Sequence, residues 1–314
     1  MNKSLKEIEE ALGVDNLVLT PLAGGTNDRT FFANTEKGEF VVRIEQGNGV
    51  QLRRAYNAQK RAEALGVMVP KVVTHNFGKN HDHDWIVEEK VDGVAFFPDK
   101  MDEVEAKSTS FDLGKQLKKL HLVEVDRYGL LPPFPYQDNK DWSEKDKEEF
   151  EQELERNGPI FSSFSDHIDF KKKVVEKSFE LAGLEARYIS RVKEVYERLK
   201  SLYSGGPRFC EGDTATTNLI VKDGKVKAMI DWEWAQASDP AENVAYWHYW
   251  NKDSKYLDYF LEGYQPEDPE KFRERIDLYQ ITTAIHLINV FKEMGHERWI
   301  KGAKEKLEGI LKAG

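Results

Sequence analysis

The run FCEGDTATTNLIV, residues 209–221, carries a carboxylate and an amide five positions apart, Asp213 and Asn218, followed at once by an apolar segment. A loop with that spacing can hold a proton acceptor beside an oxygen ligand for a hard cation. Asp-x4-Asn alone is a weak pattern, but its context sharpens it. Asn218 leads into NLIV-KDGK-VKAMID, in which Asp223-Gly224 is a two-residue hairpin signal between apolar strands. Such a hairpin folds Asp231, at the end of its second strand, back towards Asn218. An amide oxygen and a carboxylate can then share one Mg2+, which takes oxygen ligands and keeps room for phosphate oxygens. Asp213, on the loop just before, is left to accept the proton of a substrate hydroxyl.

Positioning these residues requires a scaffold, and the chain changes texture near residue 93. Before it, NLVLTPLAGGTNDRTFFANTEKGEFVVRIEQ reads as an antiparallel meander with turns at Gly24-Gly25 and Lys37-Gly38. In QLRRAYNAQKRAEALG the residues Leu52, Ala55, Tyr56, Ala62 and Leu65 recur at helical spacing before Gly66 ends the helix. PKVVTHNFG and DWIVEEKVDGV supply two further strands joined by a polar turn at KNHDHD. The histidines and aspartates of that turn are expected to be solvated rather than metal-bound. After Gly93 helices dominate, interrupted by the 218–231 hairpin and resuming from Asn243. The charge-dense stretch 141–157 is expected to be a solvated helix face. The expected fold class is α+β, with a β-rich lobe over 1–92, a connector at 88–93, and a larger helical lobe over 93–314.

Composition narrows the function classes. The 314 residues suffice for two cores. A formal net charge of −10 disfavours broad nucleic-acid binding, which needs basic stripes. The one cysteine, Cys210, excludes an intrachain disulfide framework and suits a reducing compartment. The opening MNKSLKEIEEALGV reads as an amphipathic helix rather than a signal peptide. No apolar run approaches the roughly 18–20 residues of a membrane span. The expected setting is cytoplasmic, with no membrane, nucleic-acid or obligate protein partner. No Gly-x-Ser-x-Gly pattern supports a hydrolase of the nucleophile-elbow type.

The motif series EGDTATTN, IDWEWA and SDP resembles the aminoglycoside phosphotransferase and choline kinase superfamily, relatives of the protein kinases, and in style its choline-kinase-like branch. The matching positions are Gly212, Asp213, Asn218, Ile230, Asp231, Trp232, Glu233, Asp239 and Pro240. PLAGGTNDRTFFAN is similar to that family's nucleotide loop, FVVRI to its third strand, and WIVEEKVDGV to its hinge. The resemblance covers roughly residues 16–130 and 205–250. It implies a two-lobed protein-kinase-like fold binding ATP, or another NTP, with Mg2+. It assigns Asp213 as catalytic base, Asn218 and Asp231 as metal ligands, and Gly24, Gly25 and Thr26 as the glycine-rich phosphate loop. It implies Arg43 as phosphate contact and the hinge residues Glu88, Glu89 and Lys90 as lining the nucleotide site.

Four features depart from the family pattern, the first being Arg43, which stands where many members have lysine. Glu211 stands where a histidine is usual, and Asn243 where an aspartate is common. The helix glutamate that usually orients the strand cation is missing, since its places are occupied by Ala55 and Tyr56. His121 is expected to be packed rather than catalytic. The acceptor is expected to be a small-molecule hydroxyl, of cationic aminoglycoside or choline type. Glu233, Trp234, Glu242 and Trp247 are the candidate acceptor contacts, with core packing the alternative for the aromatic residues. Two other readings stay open: a pseudokinase-like module that binds without turnover, and a kinase for a neutral sugar or amino alcohol.

Overall fold

The computed structural model describes residues 2–22, 28–45, 49–77, 83–133, 144–251 and 253–313. Helix α1 (Asn2–Leu12) precedes strands β1 (Leu19–Pro21), β2 (Asp28–Thr35) and β3 (Gly38–Glu45), then α2 (Gly49–Ala64), β4 (Val72–Asn76) and β5 (Trp85–Glu89). The strands form one antiparallel sheet in the order β1-β2-β3-β5-β4. Side chains alternate across a strand, so Phe40, Val42 and Ile44 of β3 pack with Ile8 and Leu12 of α1 and with Trp85 and Val87 of β5. Arg43, between them in sequence, is consigned to the other face of the sheet. Helix α2 ends before Gly66, whose φ of +71° suits glycine at a helix terminus. Its Ala55, Ala58 and Ala62 belong to a second, larger core.

That second core is built by the rest of the chain. It comprises β6 (Val94–Ala95), α3 (Glu103–His121), β7 (Gly129–Leu130), α4 (Glu144–Asn157), α5 (Phe164–Ala182), α6 (Ile189–Leu202) and β8 (Arg208–Cys210). The hairpin β9 (Leu219–Lys222) and β10 (Lys225–Met229) follows, then β11 (Gln236–Ser238), α7 (Pro240–Tyr249), α8 (Lys255–Tyr264), α9 (Pro269–Glu293) and α10 (Glu297–Ala313). Asp223 and Gly224 have φ of 54° and 68°, the backbone a tight two-residue hairpin requires, and Lys222 pairs with Lys225 across it. Strand β6 adds to the hairpin's other edge, so the chain leaving β5 passes directly from the first sheet to this second one. A third small sheet, β7-β11-β8, was not anticipated; strands of two or three residues carry no readable periodicity.

Two expectations are corrected here. The charge-dense helix is not simply a solvated face, because α4 turns Asp146, Phe150 and Glu153 inward. Arg53 of α2 pairs with Asp146, and Arg54 of α2 pairs with Glu153. Of the expected solvated turn HDHD, His81 and Asp82 lie outside the described residues. Asp84 is buried and accepts a hydrogen bond from Arg53 Nε. Both errors share a cause: a carboxylate facing a distant arginine reads, locally, like any surface acid.

Candidate active site

Gly212 lets the acidic loop approach the turn after β10. It has φ of +93°, and a methyl group there would lie 1.9 Å from the Trp234 carbonyl oxygen. Loop and turn are therefore in backbone contact. The amide of Asn218 donates to the Asp213 carbonyl at 2.9 Å and to Asp213 Oδ2 at 3.1 Å. The Asn218 carbonyl in turn accepts the Ile230 N–H at 2.9 Å, which zips the two ends of the hairpin together beside Asp231. Asp231 adopts a left-handed backbone, φ 66° and ψ 58°, rare for a residue with a side chain, and its side chain remains 44% exposed. Asp213, Asn218 and Asp231 are thus brought together as the hairpin pattern requires.

Arg43 extends from β3 to the same place. Its guanidinium hydrogen-bonds Glu233 and stands 3.5 Å from Asp231 Oδ1. The acid that orients Arg43 therefore comes from the turn after the hairpin, 190 residues away, and not from the following helix. Helix α2 contributes in another way. Arg54 is fully buried, pairs with Glu153, and donates to the Glu233 carbonyl at 2.8 Å. Gln59, also on α2, donates to Glu88 of β5 at 2.7 Å.

The loop is braced by a buried chain of polar groups. Glu211 is 1% exposed, and its Oε2 accepts the Asp213 N–H at 3.0 Å. The Asn243 amide donates to Thr214 Oγ1, while its Oδ1 accepts from the Glu211 N–H at 3.4 Å. His121 contacts Asn243 Oδ1 through Nε2 at 3.1 Å and the Tyr264 hydroxyl through Nδ1 at 3.0 Å. Burial pushes His121 down to about 4. The neutral ring can thus donate from Nε2 and accept at Nδ1. His121 is packed, as expected.

Negative charge exceeds positive charge at this site. Burial first, then Asp231, raises the Asp213 carboxyl to about 7, against hydrogen bonding from Tyr246 and Asn218. Burial and Glu233 raise Asp231 to about 6, with Arg43 opposing. Glu211 is pushed well above the usual carboxylate range by burial and by Asp213. Asp213 Oδ1 is buried with no hydrogen bond of good geometry. These are the marks of clustered carboxylates for which the one guanidinium of Arg43 is too little counter-charge, and a divalent cation fits them. Among the described residues no group of three or more His, Cys, Asp or Glu could hold a metal unaided. That suits Mg2+, which is commonly held by one or two protein ligands and completed by phosphate and water.

A profile of the phosphotransferase enzyme family matches residues 18–275, most of the chain. The chain belongs to that family. Solved members with the same two-lobed kinase-like fold include a thermostable mutant of aminoglycoside phosphotransferase APH(4)-Ia in a ternary complex with ADP and hygromycin B. It shares 13% identity over 98% of each chain, with a TM-score of 0.67. Aminoglycoside 2'-phosphotransferase-IIIa in its GDP complex matches with a TM-score of 0.68 and 14% identity, over 99% of this chain and 98% of that one. APH(2")-IIa in complex with gentamicin gives 0.62 and 16%, over 97% and 95%. Identities this low speak for the fold.

Against that family background the other expected site residues divide. Gly24, Gly25 and Thr26 lie outside the described residues. Glu88 is buried against Gln59, and its carboxyl is raised by burial with Arg43 opposing. Glu89 and Lys90 carry exposed ion pairs with Lys71 and Glu39. Their N–H groups are donated to the Lys71 and Glu39 carbonyls, so neither can serve a nucleobase as a donor. Glu233, expected at the acceptor, is engaged instead by Arg43, and Trp247 is fully buried in the core, as helical spacing allowed. Trp234 stays partly exposed. Glu242 is held by Lys171 of α5 at 2.5 Å and by Ser238. Against the upward push of burial, the Lys171 ammonium brings Glu242 down to about 2.

Sequence reasoning missed Arg54 and Lys171, and it read Tyr246 only as one of an aromatic cluster that forms core or a cage for a cation. The Tyr246 hydroxyl stands beside Asp213, and the ring lies 6.4 Å from Trp250. Glu242 and Tyr246 of α7 and Trp250 at its C-cap are spaced four apart and are all partly exposed, so the periodicity that buried Trp247 also marked this open face.

Proposed function

We propose that this chain transfers the γ-phosphoryl group of Mg-ATP, or of another NTP, to a hydroxyl of a small molecule. The reaction would take place in a cleft between an N-terminal lobe, residues 1–92, and a C-terminal lobe, 93–314. The observation that carries the reading is the convergence of Asp213, Asn218, Asp231 and Arg43, with an unsatisfied Asp213 oxygen at its centre. Asn218 and Asp231 would hold the metal, whose charge neutralises the transferring phosphoryl group when bound. Arg43, permanently charged, is suited to phosphate oxygens on the side away from Glu233. Asp213 orients the acceptor hydroxyl and takes its proton. Glu211 fixes the loop through the Asp213 N–H, doing by acceptance what a histidine brace would do by its ring nitrogens. Family membership and the nucleotide complexes of structural neighbours support the same reaction class.

For the acceptor, the gentamicin and hygromycin B complexes of those neighbours favour an amine-bearing molecule. The two of the expected acceptor contacts that remain partly exposed, Trp234 and Glu242, suit that chemistry, although Lys171 already neutralises Glu242. The deciding experiment measures ADP release with a panel of amine-bearing and neutral hydroxyl acceptors, with Asp213→Ala as control. Mg-ATP binding without turnover on any acceptor would convert the reading to a binding module. Turnover confined to neutral sugars would move it to a sugar kinase.

A further inference from the structure

A cavity of about 950 Å3 lies between the end of α7, the middle of α9 and the inner face of α10. Its wall is aromatic and apolar: Tyr249, Trp250, Phe291, Trp299 and Ile310. Three of these rings meet at right angles or tilted, Trp250 lying 6.2 Å from both Phe291 and Trp299, with Phe291 5.9 Å from Trp299. Trp299 is nevertheless 56% exposed, because one side of its ring faces the opening. None of the residues that form the acidic loop lines this space. Among the described residues Trp250 links it to the phosphotransfer site, its ring 6.4 Å from that of Tyr246.

The polar groups in the cavity are mostly donors. Lys306 enters from α10, lies over the Tyr249 ring at 3.9 Å and donates to the Tyr249 carbonyl. That contact satisfies one of its three N–H bonds. No carboxylate among the described residues forms an ion pair with Lys306 or with Arg298, which also lines the space. Asp277 is the one acid of the lining, and its nearest charge partner is Arg273. Concave apolar walls with a few convergent donors are the usual constitution of a small-molecule site. Lys306 is half-buried and Arg298 exposed, so both keep access to the cavity, and an anion there would pair with a partly desolvated ammonium.

We propose that this cavity is a second ligand site, distinct from the nucleotide and acceptor sites, for a small apolar or aromatic carboxylate. Its ring or chain would occupy the space between Trp250 and Trp299, and its carboxylate would pair with Lys306. Gly302 offers a direct way to close the site: it lies on α10, lines the cavity, and a Cβ there meets nothing within 4 Å. Gly302→Leu would set an apolar side chain into the cavity and narrow it while favouring the helix.

The test is calorimetric titration of the full chain, saturated with Mg-ATP, using naphthalene-2-carboxylate and its neutral isostere naphthalene-2-carboxamide. The expected result is at least tenfold tighter binding of the carboxylate, accompanied by a change in tryptophan fluorescence. Lys306→Met should erase that preference while still binding both compounds, and Gly302→Leu should weaken both at least tenfold. The proposal is overturned by absence of carboxylate binding, by equal affinity for both probes, or by affinities that Gly302→Leu leaves unchanged. Displacement of the carboxylate by nucleotide would overturn it equally, since it would place the probe in the phosphotransfer site.

Discussion

Replacing Glu233 by glutamine removes the charge that holds Arg43 while keeping the shape of the side chain. The side chains of Arg43 and Glu233 are 9% and 5% exposed, so this ion pair belongs to the interior. Breaking one partner of a buried pair costs about 3–5 kcal/mol, because the other charge is left uncompensated. Arg43 keeps Asp231 at 3.5 Å, which offsets part of that loss. The expected destabilisation is therefore about 2–3 kcal/mol by this reasoning. Urea unfolding at neutral pH should show it as a lower midpoint with an unchanged slope. Arg43→Met should cost a similar amount, since it strands the acids. The double variant Arg43→Met/Glu233→Gln should lose much less than the sum, as both charges leave together. Glu233→Gln should also raise the KM for nucleotide, because the guanidinium is no longer aimed. A double-mutant cycle with a coupling energy below about 0.5 kcal/mol would refute the reasoning, since independent sites add within that margin. It would mean that Glu233 does not orient Arg43.

Asp213→Asn should abolish turnover and yet stabilise the unliganded protein at alkaline pH. The folded-state carboxyl titrates near 7 against an ordinary 3.8, so the native state binds this proton more tightly than the unfolded chain. The stability contributed by this group is full below pH 4 and is lost as pH rises through 7. Urea melts at pH 5 and pH 8 should therefore show the variant gaining on wild type by about 1–3 kcal/mol between the two, below the roughly 4 kcal/mol ceiling set by three pH units; a pH-independent difference would count against it. Gly212→Ala should cost about 1–3 kcal/mol and most of kcat, because the methyl strikes the Trp234 carbonyl; unchanged thermal stability would show that the loop can move aside. Asn243→Asp places a charge beside buried Glu211 and removes the donor to Thr214, so activity should fall at least tenfold. Adding Glu211→His should recover part of it, and strict additivity of the two changes would contradict direct coupling.

The parts of the structure legible in sequence are those whose cause is local. Asp223-Gly224 can hardly do anything but reverse the chain between two apolar strands, and that reversal brings Asp231 to Asn218. Gly66 stops α2 for the same kind of reason. Phe40, Val42 and Ile44 announce a strand with one buried face, and so place Arg43 on the other. What escaped is long-range pairing. Nothing near Arg43 in sequence marks Glu233 as its partner, and nothing near Arg54 marks Glu153, because an ion pair leaves no periodic trace in either segment. Asp84 and Asp146 sit among polar neighbours and were read as solvated for that reason. The unusual Glu211 becomes intelligible only with Asn243 beside it. Glu211 stands where the resemblance leads one to expect histidine and Asn243 where it leads one to expect aspartate, so the carboxyl group has changed places within the brace.

The buried Arg54 has a bearing on how such an enzyme can be switched. In protein kinases the helix after the third strand carries the glutamate that meets the strand cation, and moving that helix governs activity. Here α2 carries no such glutamate, and Arg54 ties it to α4 and to the backbone of the residue that holds Arg43. Swinging α2 away would strand a guanidinium and a carboxylate in an apolar interior, at several kcal/mol. The helix is a strut rather than a lever. The gate that protein kinases make of this helix is thus closed to this chain by a buried ion pair.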